Sequence, residues 1–171
     1  MANAYAQTAG EGWNVPAFFS GQGDAPWDFS YVDSTVNDGV ATITINRPEA
    51  MNALNVTVVG QLTNAVAAAN ADTAVHTIVV DGAGKAFVAG ADVKFFVDKI
   101  RADAIPEIYE FTADGHELLN MLETSSKTTV ALTTGLALGG GLELALACDY
   151  RIGTRRTQFR FPETSIGTVS Y

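Results

Sequence analysis

One cysteine, Cys148, in 171 residues leaves no intramolecular disulfide to form and no cysteine-rich zinc site. It fits a reducing compartment. Two histidines, His76 and His116, are little material for a histidine metal site or a Ser-His-Asp triad. Positive charge is also scarce. Ten Lys plus Arg face nineteen Asp plus Glu, for a formal net charge of −9. That balance argues against nucleic acid or an anionic membrane surface as the main partner, though it leaves room for a local basic pocket. No apolar run approaches the roughly 20 residues of a membrane helix. The N-terminal stretch lacks the basic start and apolar core of a signal peptide. The first Lys or Arg is Arg47, after Glu11, Asp24, Asp28, Asp33 and Asp38, which is unlike a mitochondrial leader. A cytoplasmic location is the expectation.

What is present suits one folded domain. Apolar residues make up 47% and charged residues 17%, and the length allows a real core but is short for two domains. Residues 1–35 read as an irregular leader. Gly10, Gly12, Gly21 and Gly23 break any period, and Pro16 and Pro26 interrupt helix or strand. Trp13, Phe18, Phe19, Trp27, Phe29 and Tyr31 are many aromatics for an inert linker. The segment is either a loose leader or an arm that packs its rings on its own domain or a neighbouring one. Regularity sets in from Tyr31, and residues 36–171 read as the core domain.

Residues 40–46 alternate apolar and polar side chains, the period of a half-buried strand, and Arg47-Pro48 stops it. Asn55 suits the N-cap of a helix to about Asn70, with Val58, Val59, Leu62 and Val66 on one face. A second strand is expected over 77–81, a turn at Asp81-Gly82 with Gly84, and a short apolar piece over 86–89. Pro106 suits the first turn of a helix whose buried stripe is Ile108, Phe111, Leu118, Leu119 and Leu122. Further strands are expected over 128–132, 135–138, 149–152 and 157–161, and a helix over 142–147 after Gly139-Gly140-Gly141. Strands and helices alternate, so the class is α/β.

Two glycine-rich turns invite a nucleotide reading, and both fail it. Gly82-Ala-Gly-Lys85 has Val79 where a phosphate loop needs its first glycine, and Ala86 where it needs Ser or Thr. The triple glycine has Leu144 at the last glycine of the dinucleotide pattern. It lies between an apolar strand and a helix, where glycine allows close backbone approach and the first helical N–H groups are unpaired. Such a turn either holds a developing oxyanion or serves only tight strand–helix packing. Glu143, between Leu142 and Leu144, is costly in an apolar helix unless paired, solvated or protonated. Glu163 follows Pro162 at a strand end. Two glutamates in one cavity push their proton affinities apart and create an acid and a base.

Three segments resemble the crotonase (enoyl-CoA hydratase) family: 46–54 (NRPEAMNAL), 85–93 (KAFVAGADV) and 135–149 (GLALGGGLELALACD), the last continuing to Phe161-Pro-Glu163. The resemblance runs from about Tyr31 to Gly167. It implies a spiral of strand–strand–helix repeats that binds acyl-CoA thioesters, here truncated before the C-terminal helices. By motif position it implies an oxyanion hole from the N–H groups of Ala91 and Gly140. It implies substrate contacts at Ala50, Met51, Ala89, Gly90, Ala91, Asp92, Val93, Gly139 and Gly140, and catalytic carboxylates at Glu143 and Glu163. Retention of both glutamates favours reversible hydration of a trans-2-enoyl-CoA in fatty acid β-oxidation. Isomerisation, thioester hydrolysis and a non-catalytic acyl-CoA-binding or assembly role are the alternatives. The scheme implies no metal or redox cofactor, since CoA enters with the substrate, and a homo-oligomer, trimer or hexamer, if the C-terminal helices exist. Arg47, Lys85 and Lys94 are the cations nearest the motifs for the CoA phosphates. Family members are typically about half as long again. Arg160 stands where the family usually has glycine, either reaching Glu163 or pointing outward, and Thr133-Thr134 replace the residues expected before Gly135. The aromatic leader is similar to the junction in dehydrogenase–hydratase fusion proteins.

Overall fold

The computed structural model describes residues 30–165. Of the segment read as a leader, residues 1–29 lie outside the described residues, and its end is regular. Strand β1 (Val32–Asn37) pairs antiparallel with β2 (Val40–Ile45). Asp38 and Gly39 link them with φ of 47° and 77°. Two consecutive positive φ values are what a two-residue hairpin of right-twisted strands requires, and Asp-Gly supplies them at low cost. Strand β1 thus takes in residues 32–35 of the segment read as a leader. Only Val32 of the six β1 residues is buried, so no alternation betrays the strand.

The remaining strands are β3 (Thr77–Gly82), β4 (Ala86–Val88), β5 (Thr128–Thr133), β6 (Leu136–Leu138), β7 (Tyr150–Gly153) and β8 (Gln158–Arg160). The helices are α1 (Val56–Ala71), α2 (Val93–Arg101), α3 (Ile105–Glu123) and α4 (Gly140–Leu146). One sheet has the order β1-β2-β3-β5-β7, the other β4-β6-β8. All pairings except β1 with β2 are parallel. The pairs β3–β4, β5–β6 and β7–β8 each give one strand to each sheet, and helices connect successive pairs. This is the spiral of strand–strand–helix units that the motifs imply.

The core follows the two periods. Ala41, Ile43 and Ile45 on β2, Ile78 and Val80 on β3, and Ala131 on β5 point to one side and are fully buried. Helix α1 covers them with Val58, Val59, Leu62 and Val66. Its N-cap is Asn55, whose side chain accepts from the N–H of Val58 at 2.9 Å. Helix α3 buries Phe111, Leu118 and Leu122, with Pro106 in its first turn. Helix α2 is not among the elements expected from the sequence, and it buries no residue completely. It is held by Phe95 and Phe96, whose rings lie 5.0 and 5.7 Å from that of Phe111. Thr133 closes β5. Its buried hydroxyl donates to the carbonyl of Ile152, and its own carbonyl accepts from Thr157.

Candidate active site

The strands β4, β6 and β8 run parallel in one small sheet, so their C-terminal ends share an edge. In open parallel sheets that edge is where ligands bind. Strand β4 leads to Ala91, β6 leads to Gly139 and Gly140, and β8 leads to Glu163 in a one-turn 3-10 helix, Pro162–Ser165. Residues distant in sequence are thus delivered to neighbouring strand ends.

The β4 end is tied to the segment 47–54. Ala89 donates to Met51 at 3.1 Å, Leu54 donates to Gly90 at 2.8 Å, and Asp92 donates to Leu54 at 2.7 Å. Leu54 and Ala91 form the resulting parallel bridge. Across a trans peptide the N–H points opposite to the preceding C=O. The Gly90 carbonyl faces Leu54, so the N–H of Ala91 faces away from that segment. Gly90 has φ of +87°, and a Cβ on it would come within 3.3 Å of the Leu138 carbonyl, so β4 and β6 lie close here.

Segment 47–54 is held by a side chain the motif reading passed over. Asn52 is fully buried, with φ of 58°. Its amide donates to the carbonyls of Ala83 at 2.9 Å and Ala86 at 2.8 Å, and its oxygen accepts from the N–H of Arg47 at 2.9 Å. Ala50 ends the 3-10 turn Pro48–Ala50, and Met51 follows, half exposed.

Each glycine of the triple meets a different neighbour. Gly139, with φ of +48° and ψ of −124°, is the N-cap of α4. A Cβ there would lie 2.1 Å from Oε1 of Glu163. A Cβ on Gly141 would lie 2.1 Å from the carbonyl of Val88, so this glycine serves the contact of α4 with β4. At Gly140 the nearest atoms would be Cδ1 of Leu54 at 3.5 Å and Oε2 of Glu143 at 3.7 Å, ordinary contact. Gly140 is the first helical residue, so its N–H has no partner within α4. The Gly139 carbonyl accepts from Leu142 and Glu143, which directs the Gly140 N–H back out of the helix end.

The two glutamates lie beside consecutive glycines. Glu143, in the first turn of α4, lies against Gly140, and Glu163 lies against Gly139. Both are half-buried. Oε2 of Glu163 is buried and accepts no hydrogen bond among the described residues. Arg160 fixes this strand end through its backbone: its carbonyl accepts from the N–H of Gly139 at 3.0 Å. Its side chain is exposed and forms no ion pair among the described residues.

The other named residues divide. Ala89, Gly90 and Ala91 stay with the strand ends. Asp92 caps α2 by accepting from the N–H of Lys94 and pairs with Arg47 at 2.8 Å. Val93 opens α2 and is 65% exposed. Among the cations, Arg47 is committed to Asp92, the carbonyl of Ala53 and the ring of Tyr31. Lys94 pairs with Asp98 on the surface, which raises its pKa through that hydrogen bond. Lys85 is exposed, and its ammonium has no ion pair among the described residues. Cys148 is buried, and its thiol is pushed up to about 12 by loss of solvent.

The profile of the enoyl-CoA hydratase/isomerase family matches residues 40–170. The chain is similar to a crotonyl-CoA hydratase of Syntrophomonas wolfei, 41% identical over 129 residues that make up 75% of this chain and 48% of that protein. It is also similar to the small ribosomal subunit protein mS47 of Schizosaccharomyces pombe, 32% identical over 76% of this chain and 30% of that protein. Among solved structures, an enoyl-CoA hydratase/carnithine racemase from Magnetospirillum magneticum superposes with a TM-score of 0.77. It is 33% identical, with 84% of this chain and 53% of that one covered. The chain spans about half the length of the curated relatives it matches.

Proposed function

Because the chain belongs to the enoyl-CoA hydratase/isomerase family, we propose that it adds water reversibly across the double bond of a trans-2-enoyl-CoA to give a 3-hydroxyacyl-CoA. The observation that supports this reading is that Glu163 lies beside Gly139 and Glu143 beside Gly140, on consecutive residues of one turn. Hydration needs a base for the water and an acid for Cα. Two carboxylates held around one water supply both. The N–H groups of Ala91 and Gly140 receive the thioester oxygen as negative charge develops on it. Loss of one such donor typically raises the barrier by about 2.7–4 kcal/mol.

The substrate lies along the backbone of Ala50, Met51, Ala89, Gly90, Ala91, Gly139 and Gly140, with Asp92 and Val93 at the start of α2 beside it. CoA arrives as part of the substrate, and the scheme calls on no metal or redox group. Lys85, without an ion pair among the described residues, is our choice of cation for the CoA phosphates. We place the reaction in the cytoplasm, in β-oxidation of fatty acids, and in a homo-oligomer. The lone buried cysteine and the family relationship support these readings.

Product mass after incubation with crotonyl-CoA tests the reaction type. Hydration adds one water, isomerisation adds nothing, and hydrolysis releases free CoA. Unchanged crotonyl-CoA, bound but not converted, would favour a second reading, a non-catalytic acyl-CoA-binding or assembly role. The similarity to a protein named for the small ribosomal subunit supports that alternative.

A further inference from the structure

We propose that Arg47 and Asp92 are positioning residues that aim the N–H of Ala91, an inference that rests on the oxyanion role given to Ala91 above. Four observations converge on the pair. Nη1 of Arg47 donates to Oδ2 of Asp92 at 2.8 Å and to the carbonyl of Ala53 at 3.1 Å. It therefore joins the two residues that flank the Leu54–Ala91 bridge, Ala53 on one segment and Asp92 on the other. Both side chains are largely buried, at 16% and 20% exposure. The guanidinium also stacks over the ring of Tyr31, 5.5 Å from its centroid.

The remaining carboxylate oxygen of Asp92 accepts from the N–H of Lys94 and starts α2. Asp92 thus fixes the peptide after Ala91 from three sides: its N–H on Leu54, one oxygen on Arg47 and one on the helix. Leu54 grips both peptides beside Ala91, donating to the Gly90 carbonyl in the peptide that carries the Ala91 N–H and accepting from Asp92 in the next, so a slip between the segments that Arg47 and Asp92 join would turn the Ala91 N–H away from its present direction. Burial makes the pair hard to replace by water, because breaking a largely buried ion pair leaves a charge without compensation. The arrangement differs from that of the surface pair Lys94–Asp98, which bridges one turn of a helix and holds no backbone near the site.

Asp92→Asn is the discriminating variant. Asparagine caps a helix as well as aspartate does, so α2 keeps its start while the ion pair is lost. The expected result is a fall in kcat of about ten- to hundredfold, smaller than deletion of an oxyanion donor, with KM within about threefold of the parent, as misplacement of a donor requires. Bound dimethylaminocinnamoyl-CoA, whose absorption moves to the red as its carbonyl is polarised, should show a smaller shift. Arg47→Met combined with Asp92→Asn should cost little more than the worse single change, because both break one unit. Glu49→Gln, which alters only an exposed carboxylate 3.9 Å from Arg47, should change nothing.

Amide exchange at Leu54 and Asp92 should accelerate in Asp92→Asn while the core amides keep their protection. Lower thermal stability with an unchanged red shift and unchanged local exchange would overturn the proposal, since the pair would then be structural only. A parent chain that binds the dye without hydrating crotonyl-CoA would sink the hydratase reading. The red shift and the exchange pattern would still decide the positioning role.

Discussion

Glu163 and Gly139 occupy one place, and only one of them has a side chain to put there. The carboxylate oxygen lies 2.1 Å from where a Cβ on Gly139 would sit. Gly139→Ala must therefore displace Glu163 as well as strain a φ of +48°. Hydration should fall at least a hundredfold, by roughly the weight of a general acid–base group, and a crotonyl-CoA assay with a thermal melt checks this. Gly140→Ala meets only ordinary contacts and gains helix propensity, so its melting temperature should stay within about 2 °C of the parent. Cys148, with its thiol raised to about 12, should resist alkylation at pH 8 in the native protein and react once unfolded. Glu143 was legible because a carboxylate between two leucines asks for a reason, and Glu163 only from its place at a strand end and in the motif. Asn52 was not, because its partners are backbone carbonyls some thirty residues away and a polar residue before an apolar one carries no period. Asp92 and Arg47 were legible only as motif members. Their pairing takes Asp92 into a structural bond and removes Arg47 from the cations open to a phosphate.

Elements with a buried stripe were readable, and those without one were not. Helix α1 shows both its cap and its stripe. Asn55→Ala should cost about 1 kcal/mol through the lost bond to Val58. Leu62→Ala, at a fully buried site between helix and sheet, should cost about 2–5 kcal/mol. Urea denaturation of the two variants measures the contrast. Strand β1 had a local cue that periodicity missed, the Asp38-Gly39 pair directly before an alternating run. Helix α2 had only its cap, Asp92, because its two phenylalanines sit side by side and pack on α3 rather than along a stripe.

At the scale of the whole molecule, the α/β class came from alternation of elements, and the spiral came from the order of three motifs. The division into two sheets was out of reach, since parallel pairing joins residues far apart and leaves no short-range mark. That division makes the site, by bringing the ends of β4, β6 and β8 to one edge. Among the described residues, β7 and β8 are the last strands of their sheets, with Leu146, Tyr150, Ile152, Phe159 and Phe161 exposed. Edge strands with apolar side chains template association. Sedimentation should show concentration-dependent self-association, and Ile152→Lys with Phe159→Lys should shift the protein toward monomer without lowering its melting temperature.

The most direct test of the central claim, that Glu143 and Glu163 act together on one water, is the loss of the conjugated thioester absorbance of crotonyl-CoA. It should be followed with the parent chain and with Glu143→Gln and Glu163→Gln. The account predicts turnover by the parent and near-complete loss in each variant, with crotonyl-CoA still bound. Turnover that persists unchanged in either variant would contradict it.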